Sequence, residues 1–422
     1  MLTPDKQIPW KPWQKIAFRF LFLFLGFFLL DYELTFVMID FVSYKLLGKI
    51  YGYTSGPLHW LDQHFYHIGY DPKLHDSVPG DNHFGIVFYL TLIIIFLTAV
   101  IVWSIIDRRR KEYDRLNYWF RIYIRYMLAL VVFDYGIGKL IPAQMSYPDV
   151  TELLMPFGEK NLFSVVWNFI GASPGYERFT GVCEIVACSL LVFRRTYVFG
   201  SLLMCGILCN IVALNIFYNI SVKIYSSLLL VSTLYLVAPF VSRLVQFFML
   251  EKSVSLTEKR YTLQSNFKKY LVRGLLVCIP LASFLGDTFV INKVYNQVRN
   301  DLRSQKLYEV VYFIAKDTLQ PILTDTLRWK RFAFTSRKSV AVYSMQDKSD
   351  FFDCDWDSVK HTYRLHDNGD STKWDLFHYS YQPNNLFQLT GTWKENHVNI
   401  VMKEDPIDSI SLHKERLILI QD

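Results

Sequence analysis

Cysteine is scarce, six in 422 residues, and no two stand as Cys-x-x-Cys, which argues against a thiol redox centre. Cys183, Cys188, Cys205, Cys209 and Cys278 fall inside hydrophobic runs, leaving Cys354 alone in the C-terminal region, where no internal disulfide can form. Cys205 and Cys209 share a helix face and read as buried structural residues. Walker, dinucleotide-binding and haem-attachment patterns are absent, as is a Ser-His-Asp signature, so autonomous ATP-driven transport and nicotinamide chemistry are not expected. The run Ile16–Leu30 is followed by Leu29-Leu30-Asp31-Tyr32-Glu33, with no small-x-small cleavage site. It reads as a retained first helix with Trp10 and Trp13 at the interface.

What the chain has in quantity is apolar and aromatic side chains, 52% and 17% of its residues, gathered into blocks. Crossing ~30 Å of hydrocarbon takes ~20 apolar residues. Seven runs approach that length: Ile16–Leu30, Phe84–Ile106, Tyr118–Ile141, Phe179–Phe193, Tyr197–Phe217, Ile224–Val241 and Tyr270–Ile291. The net charge of +7 does not point to nucleic acid, because the basic residues crowd into short loops beside these runs. Lys6, Lys11 and Lys15, then Arg108–Lys111 with Arg115, then Arg194-Arg195, then Arg243, Lys252, Lys259, Arg260 and Lys268 fall on alternate sides of the spans. They share one face, which the positive-inside rule makes cytoplasmic. The loops Asp31–His83, Pro142–Gly175 and Asn219–Lys223 are sparse in Lys and Arg. The expectation is an integral protein of a bacterial inner membrane, with membrane lipids as neighbours, a cytoplasmic N-terminus and an extracytoplasmic, periplasmic region after Ile291.

That last region, 292–422, changes pattern. Leu307–Ala315, Trp329–Phe334, Val340–Met345, Thr362–Leu365, Trp374–Tyr381, Leu386–Trp393 and Val398–Met402 are short, β-branched or aromatic, and partly alternating. Turn signals lie between them at Asp367–Asp370, Gln382–Asn385 and Lys394–Asn396. The fold class expected is an α-helical membrane bundle of about seven transmembrane helices over 1–291 and an all-β antiparallel domain, a small barrel or a sandwich, over 292–422. The strand order resembles a small lipocalin-like barrel. Such a barrel either encloses an apolar ligand or is filled and binds a partner protein.

The stretch Arg125–Leu140, with Asp134-Tyr135-Gly136-Ile137-Gly138-Lys139, resembles a helix of the DoxX-like membrane family. So does Pro174–Ile185, with Glu177-Arg178 and Gly181-Val182-Cys183-Glu184, followed by Leu190-Leu191-Val192 and a basic turn. The likeness covers roughly residues 121–247, the four-helix core of that family, and rests on a Gly-x-x-Lys and a Gly-x-x-Glu. It implies a membrane bundle that in some relatives is a subunit of a quinone-linked oxidoreductase, with quinone as ligand and redox proteins as partners.

Ionisable groups in hydrocarbon are costly unless paired or watered, which singles out Asp134, Tyr135, Lys139, Glu177, Arg178 and Glu184. Either a Lys139–Glu184 or an Asp134–Arg178 pair would satisfy charges that lack solvent, as a lock between helices or as a ligand or proton site. Asn210, with Asn215, Asn219 and Lys223 at intervals of four, forms a polar stripe if its helix continues that far. The stripe suits a headgroup or quinone ring, or hydrogen bonding between helices. His59, Asp62, His64, His67, Asp71, His75, Asp76, Asp81 and His83 put half of the ten histidines in one outer loop. His64 and His67 share a face suited to a metal, but the spacing matches no strong metal signature and solvated histidines are the simpler reading. Three functions follow as alternatives: a quinone-linked redox subunit, a lipophile binding or transfer protein, and a scaffold that docks partners through its exported domain.

Overall fold

The computed structural model describes residues 9–36, 44–74, 79–255, 261, 266–315, 325, 327–335, 339–367 and 374–407. Of the sequence features above, Lys6, His75, Asp76, Lys259, Arg260 and the turn residues 368–370 lie outside them. The chain divides into two compact units, one of Met1–Gln144 with Tyr176–Asn292 and one of Met145–Gly175 with Lys293–Asp422.

In chain order the helices are α1 (Pro12–Phe36), α2 (Tyr44–Leu61), α3 (His83–Ile106), α4 (Asp114–Leu140), α5 (Val150–Leu154), α6 (Leu162–Gly171), α7 (Pro174–Val192), α8 (Tyr197–Phe217), α9 (Lys223–Val237), α10 (Val241–Leu250) and α11 (Asn266–Ser304). Four segments are long and apolar enough to cross a membrane among the described residues: Pro12–Asp31, His83–Ile106, Tyr197–Phe217 and Lys223–Leu250. The other three expected spans are helical too, within α4, α7 and α11. In α4 and α7 it is the charged residues, Arg121, Arg125, Asp134 and Lys139 in one and Glu177, Arg178 and Glu184 in the other, that break the plain apolar profile. One helix of the bundle, α2, lies inside what the charge pattern marks as the first outer loop.

The bundle core is aromatic and aliphatic, from Phe18, Leu25 and Leu29 through Phe84, Phe120, Ile124 and Leu128 to Met204 and Leu236. Three buried arginines organise one end of it. Arg121 donates to the carbonyl of Leu236 at 2.8 Å, at the end of α9, and Arg125 to those of Leu191 and Val192 at 3.0 and 2.9 Å, at the end of α7. Arg19 donates to the Tyr113 hydroxyl at 2.9 Å and to Ser104 at 2.6 Å. Guanidinium groups at helix C-termini satisfy the last carbonyls and oppose the negative end of the dipole. Trp10 joins this end through its indole N–H, which donates to Asp114 at 2.7 Å.

The second unit contains eight antiparallel strands closed into a barrel, each paired with the next and β1 with β8. They are β1 (Lys306–Ala315), β2 (Trp329–Phe334), β3 (Ser339–Ser344), β4 (Ser349–Asp357), β5 (Thr362–Asp367), β6 (Trp374–Gln382), β7 (Leu386–Trp393) and β8 (Asn396–Asp405). Closure leaves no sheet edge exposed. Asn384 and Asn385, and then Lys394 and Glu395, take positive φ in consecutive pairs, the geometry of tight hairpin turns that match strand twist. The strand absent from the sequence reading is β4, Ser-Asp-Phe-Phe-Asp-Cys-Asp-Trp-Asp. Aspartate is a poor strand former, yet Phe352 and Cys354 alternate inward between carboxylates that face solvent.

Rings from six strands meet inside the barrel. Tyr308 lies 5.2 Å from Phe387, Trp329 lies 4.9 Å from Trp393 and 5.8 Å from Phe377, Phe352 lies 5.2 Å from Trp393, and Tyr363 lies 6.0 Å from Phe387. Gly391 allows β7 to run close against β6, since a Cβ there would lie 2.0 Å from the Leu376 carbonyl oxygen. The segment 145–175 is strapped to the outer wall, where Val150 and Leu154 pack with Leu307, Ala333, Ala341 and Tyr343. Gln305 clasps it, accepting from Val150 N–H at 3.1 Å and donating to the Thr335 carbonyl at 3.1 Å.

Candidate functional site

The polar residues of α4 and α7 are placed by two glycines. A Cβ on Gly181 would lie 2.7 Å from the carbonyl oxygen of Gly136, and one on Gly136 would lie 2.9 Å from the Ile185 side chain. The backbones therefore touch, as small residues permit where helices cross. Lys139 and Glu184 each follow their glycine by three residues, so the crossing brings them together. Lys139 donates to Glu184 Oε1 in an ion pair, with the two residues only 7% and 2% exposed. The other carboxylate oxygen, Oε2, is buried and accepts no hydrogen bond among the described residues. Of the two pairings open to the sequence, this is the one that forms. Arg178 is exposed, and no ion pair joins it to Asp134 among the described residues. Asp134 is half-buried, and Glu177 is fully buried in the first turn of α7.

A second group of polar residues continues from this pair into the bundle. Tyr135 presents its ring 6.0 Å from the Lys139 ammonium. Tyr225, on α9, lies within electrostatic reach of Tyr89, Asp31, Tyr135 and Tyr51. The Tyr51 hydroxyl donates to Asp31 at 2.7 Å. The Tyr89 hydroxyl is buried and makes no hydrogen bond among the described residues. Asp31 and four phenols from α1, α2, α3, α4 and α9 thus gather in the bundle, and Tyr135 among them lies beside the Lys139–Glu184 pair.

The asparagine stripe is not continuous. The helix ends at Phe217, Asn219 takes φ 54°, and a new helix starts at Lys223. Asn210 is exposed, whereas Asn215 donates to the Ser226 hydroxyl at 2.9 Å and so joins α8 to α9. Lys223 donates to Asn219 at 2.9 Å, closing the turn. Asp81 accepts from the Ile224 N–H at 2.9 Å and from that of Lys223, capping α9. Asn215, Asn219, Lys223 and Asp81 thus hold the α8–α9 hairpin together.

Two of the outer-loop histidines, His59 and His64, are held by hydrogen bonds within the loop. His59 Nδ1–H donates to the Tyr70 carbonyl at 2.6 Å, which leaves Nε2 to accept from Gln63 at 2.9 Å. His64 donates to the Trp60 carbonyl at 2.8 Å and stacks on that indole, and His67 ends a helical turn with φ 55°. No group of three potential metal-ligating residues forms among the described residues. Asp62 organises this loop: buried, it accepts from the N–H groups of Ile68, Gly69 and Tyr70 at 2.8–2.9 Å. Burial alone would raise its pKa, but those three donors hold the carboxyl below its usual range.

Over 112 residues the chain is 36% identical to "Uncharacterized protein YwoB" of Bacillus subtilis (strain 168), a match that covers 26% of this chain and 71% of YwoB. The chain belongs to the YwoB family. No family model and no solved structure matches it. Sequence reasoning about this YwoB relative found the α4 and α7 charges but missed Asp31, Tyr51, Tyr89 and Tyr225. Asp31 follows a hydrophobic run as a loop acid would, and the tyrosines resemble the interfacial aromatics common at span ends. The sequence signal was acid within the last turns of α1, Asp31 and Glu33; the meeting of the phenols is a tertiary fact.

Proposed function

We propose that this protein is a quinol-binding subunit of a membrane redox complex. The carrying observation is the Lys139–Glu184 pair, whose second carboxylate oxygen is buried without a donor among the described residues, with the Tyr135 ring beside Lys139. An unsatisfied acceptor in a low-dielectric interior costs roughly 1–3 kcal/mol, which a hydroxylated ligand would recover. A ring hydroxyl donating to Glu184 Oε2, with a ring oxygen accepting from Tyr89, meets both open groups. The Gly-x-x-Lys and Gly-x-x-Glu that resemble the DoxX-like family are the same residues that build the crossing, which supports the reading.

A bound quinol supplies two electrons and two protons per oxidation. The protein's own part would be to receive both protons: Glu184 would take one, and Asp31, reached through the phenols, the other. Electrons leave to a partner redox protein. In this reading α4 and α7 are spans as well, because Lys139, Glu177 and Glu184 face inward while Phe179, Val182 and Val186 of α7 face outward. The same reading places the basic loop ends in the cytoplasm of a bacterial inner membrane and the barrel outside it. The close-packed rings in the barrel favour docking of a partner over carriage of a lipophile.

Mass spectrometry of protein purified from its native membrane tests this. Wild type should carry a quinone and copurify with a redox partner, while Glu184→Gln and Tyr89→Phe should carry much less. Protein that holds no quinone, and takes up none of an added short-chain analogue, overturns the reading.

A further inference from the structure

The two ends of the barrel differ. At the end that carries the β7–β8 hairpin, the inward rings Trp329 and Trp393 are each 2% exposed. At the other end, alternation carries two inward positions past the packed interior: Trp356 follows Phe352 and Cys354 on β4, and Tyr381 follows Phe377 and Tyr379 on β6. Trp356 is 59% exposed and Tyr381 68%, whereas the residues before them on the same faces are buried. A ring left in water forgoes about 25 cal/mol for each Å² it could bury, so two at one opening point to a surface that meets a ligand.

These rings are held in place. The Trp356 indole N–H donates to the Tyr379 hydroxyl at 2.9 Å, and the Tyr379 backbone N–H donates to the carbonyl of His361, whose φ of 51° helps turn the chain from β4 to β5. Trp356 lies nearly parallel to Tyr363 with 6.4 Å between centroids, and Tyr381 meets Tyr379 edge-on at 6.0 Å and Phe387 at 5.3 Å. Below them the opening is closed, since Tyr363 is 8% exposed and Phe387 1%. The result is a shallow cup and not a channel.

The polar groups of the cup are hydroxyls. The phenols of Tyr308 and Tyr363 make no hydrogen bond among the described residues, and they lie within electrostatic reach of each other and of Tyr381. Burial pushes both upward, so they stay protonated and can donate as well as accept. The charges at this rim are already matched. Lys306 and Glu404 pair at 3.2 Å, and Asp357 accepts from the N–H groups of Val359 and Lys360 at 3.0 Å.

Those features select among ligands. A quaternary ammonium favours an aromatic box, but Glu404, the carboxylate beside the Tyr308 phenol, already holds a cation. An acyl chain needs depth that the packed rings deny. A proline-rich peptide docks in aromatic grooves and its carbonyls need a donor, yet the Trp356 indole is spent on Tyr379. A pyranose fits: its C–H faces stack on indole and phenol rings, its hydroxyls exchange hydrogen bonds with phenols, and it carries no charge. Two exposed rings with Tyr379 between them offer stacking places for two linked sugar units.

We infer that the open end of the barrel is a carbohydrate-binding cup, in which Trp356 and Tyr381 stack on adjacent pyranose rings of a neutral glycan and the Tyr308 and Tyr363 hydroxyls bond its edge. The cup needs no ligand in the helical bundle.

The test is saturation-transfer NMR on the full chain in lipid nanodiscs, with cellohexaose, chitohexaose and maltohexaose as separate probes. Irradiating the aromatic protons should transfer saturation to the ring C–H protons of at least one of the three. Trp356→Ala and Tyr381→Ala, both at exposed positions, should each weaken that binding by about tenfold or more while thermal melting stays as in wild type. Tyr363→Phe, which removes one hydroxyl only, should weaken it by about threefold. Trp374→Ala, at a 46% exposed ring on the outward face of β6, should leave it unchanged. Transfer to tetramethylammonium or to a proline decamer but to no oligosaccharide would give the cup to a cation or a peptide, and overturns the inference. Transfer to none of these probes overturns it as well, as does oligosaccharide binding that survives both alanine substitutions.

Discussion

The two units bury opposite kinds of side chain. The bundle keeps Lys139, Glu184, Asn215 and Ser226 inside and turns Ile94, Ile95, Ile101, Ile105 and Ile106 outward, whereas the barrel keeps its rings inside and turns Lys306, Lys330, Asp347 and Glu404 outward. Both obey one rule, that each group seeks the medium in which it costs least, and the difference lies in the surrounding solvent. A buried ion pair in the bundle and an exposed one on the barrel are therefore different objects, although each is a Lys with an acid.

That contrast is broken most severely at Lys139. Lys139→Met leaves Glu184 buried without its cation, which should cost about 3–5 kcal/mol and lower the yield of folded protein. Adding Glu184→Leu should recover most of that stability, because a well-packed apolar pair replaces the ionic one, while quinone content stays lost. A single variant that accumulates and melts like wild type would mean that water reaches the pair.

The barrel answers with a cavity instead of a stranded charge. Leu389 is 1% exposed among the interior rings, so Leu389→Ala should cost about 2–5 kcal/mol. Denaturant unfolding of the full chain, followed by protease sensitivity of the C-terminal region, measures it. A loss below about 1 kcal/mol would indicate an interior loose enough to hold a ligand.

Legibility followed the same division. Strands β2 and β7 were readable to the residue because aromatic and β-branched positions alternate between turn residues. The aspartates of β4 hid a strand whose inward positions, Phe352 and Cys354, are few. In the bundle, Lys139 and Glu184 stood out because charge is conspicuous among apolar residues, and their glycines gave a reason for them to meet. Asp31, Tyr51, Tyr89 and Tyr225 did not, since nothing local distinguishes a phenol at an interface from one that turns inward. The stripe from Asn215 to Lys223 failed for a local reason. A left-handed residue at Asn219 ends the helix, and asparagine adopts that conformation more readily than most residues.

Glu152 lies between the two extremes, half-buried on the strap that grips the barrel. Burial raises its pKa, but hydrogen bonds from Lys160 and Asn168 with the Lys160 charge more than offset this and hold it below the usual carboxylate range. Its contribution is therefore fully present above the unfolded value near ~4.3 and is lost as pH falls through the lower folded value. Protease cleavage within 145–175 should rise over that acid window in wild type, and a Glu152→Gln variant should show the higher cleavage already at neutral pH with a flatter profile.

The smallest effect is expected at the barrel's counterpart of the bundle pair. Lys306 and Glu404 face each other across β1 and β8 at 3.2 Å, with side chains 50% and 40% exposed. Water screens both charges, and ordering two long side chains offsets much of what Coulomb attraction remains, so Lys306→Ala should change stability by less than ~1 kcal/mol. The register between β1 and β8 is fixed by inward Tyr308 and Met402, not by this pair. A double-mutant cycle over Lys306 and Glu404, read beside the one over Lys139 and Glu184, sets the two media on one scale. Coupling of equal size in both would mean that the bundle interior is as wet as the barrel surface, and the distinction between the units would fail at its root.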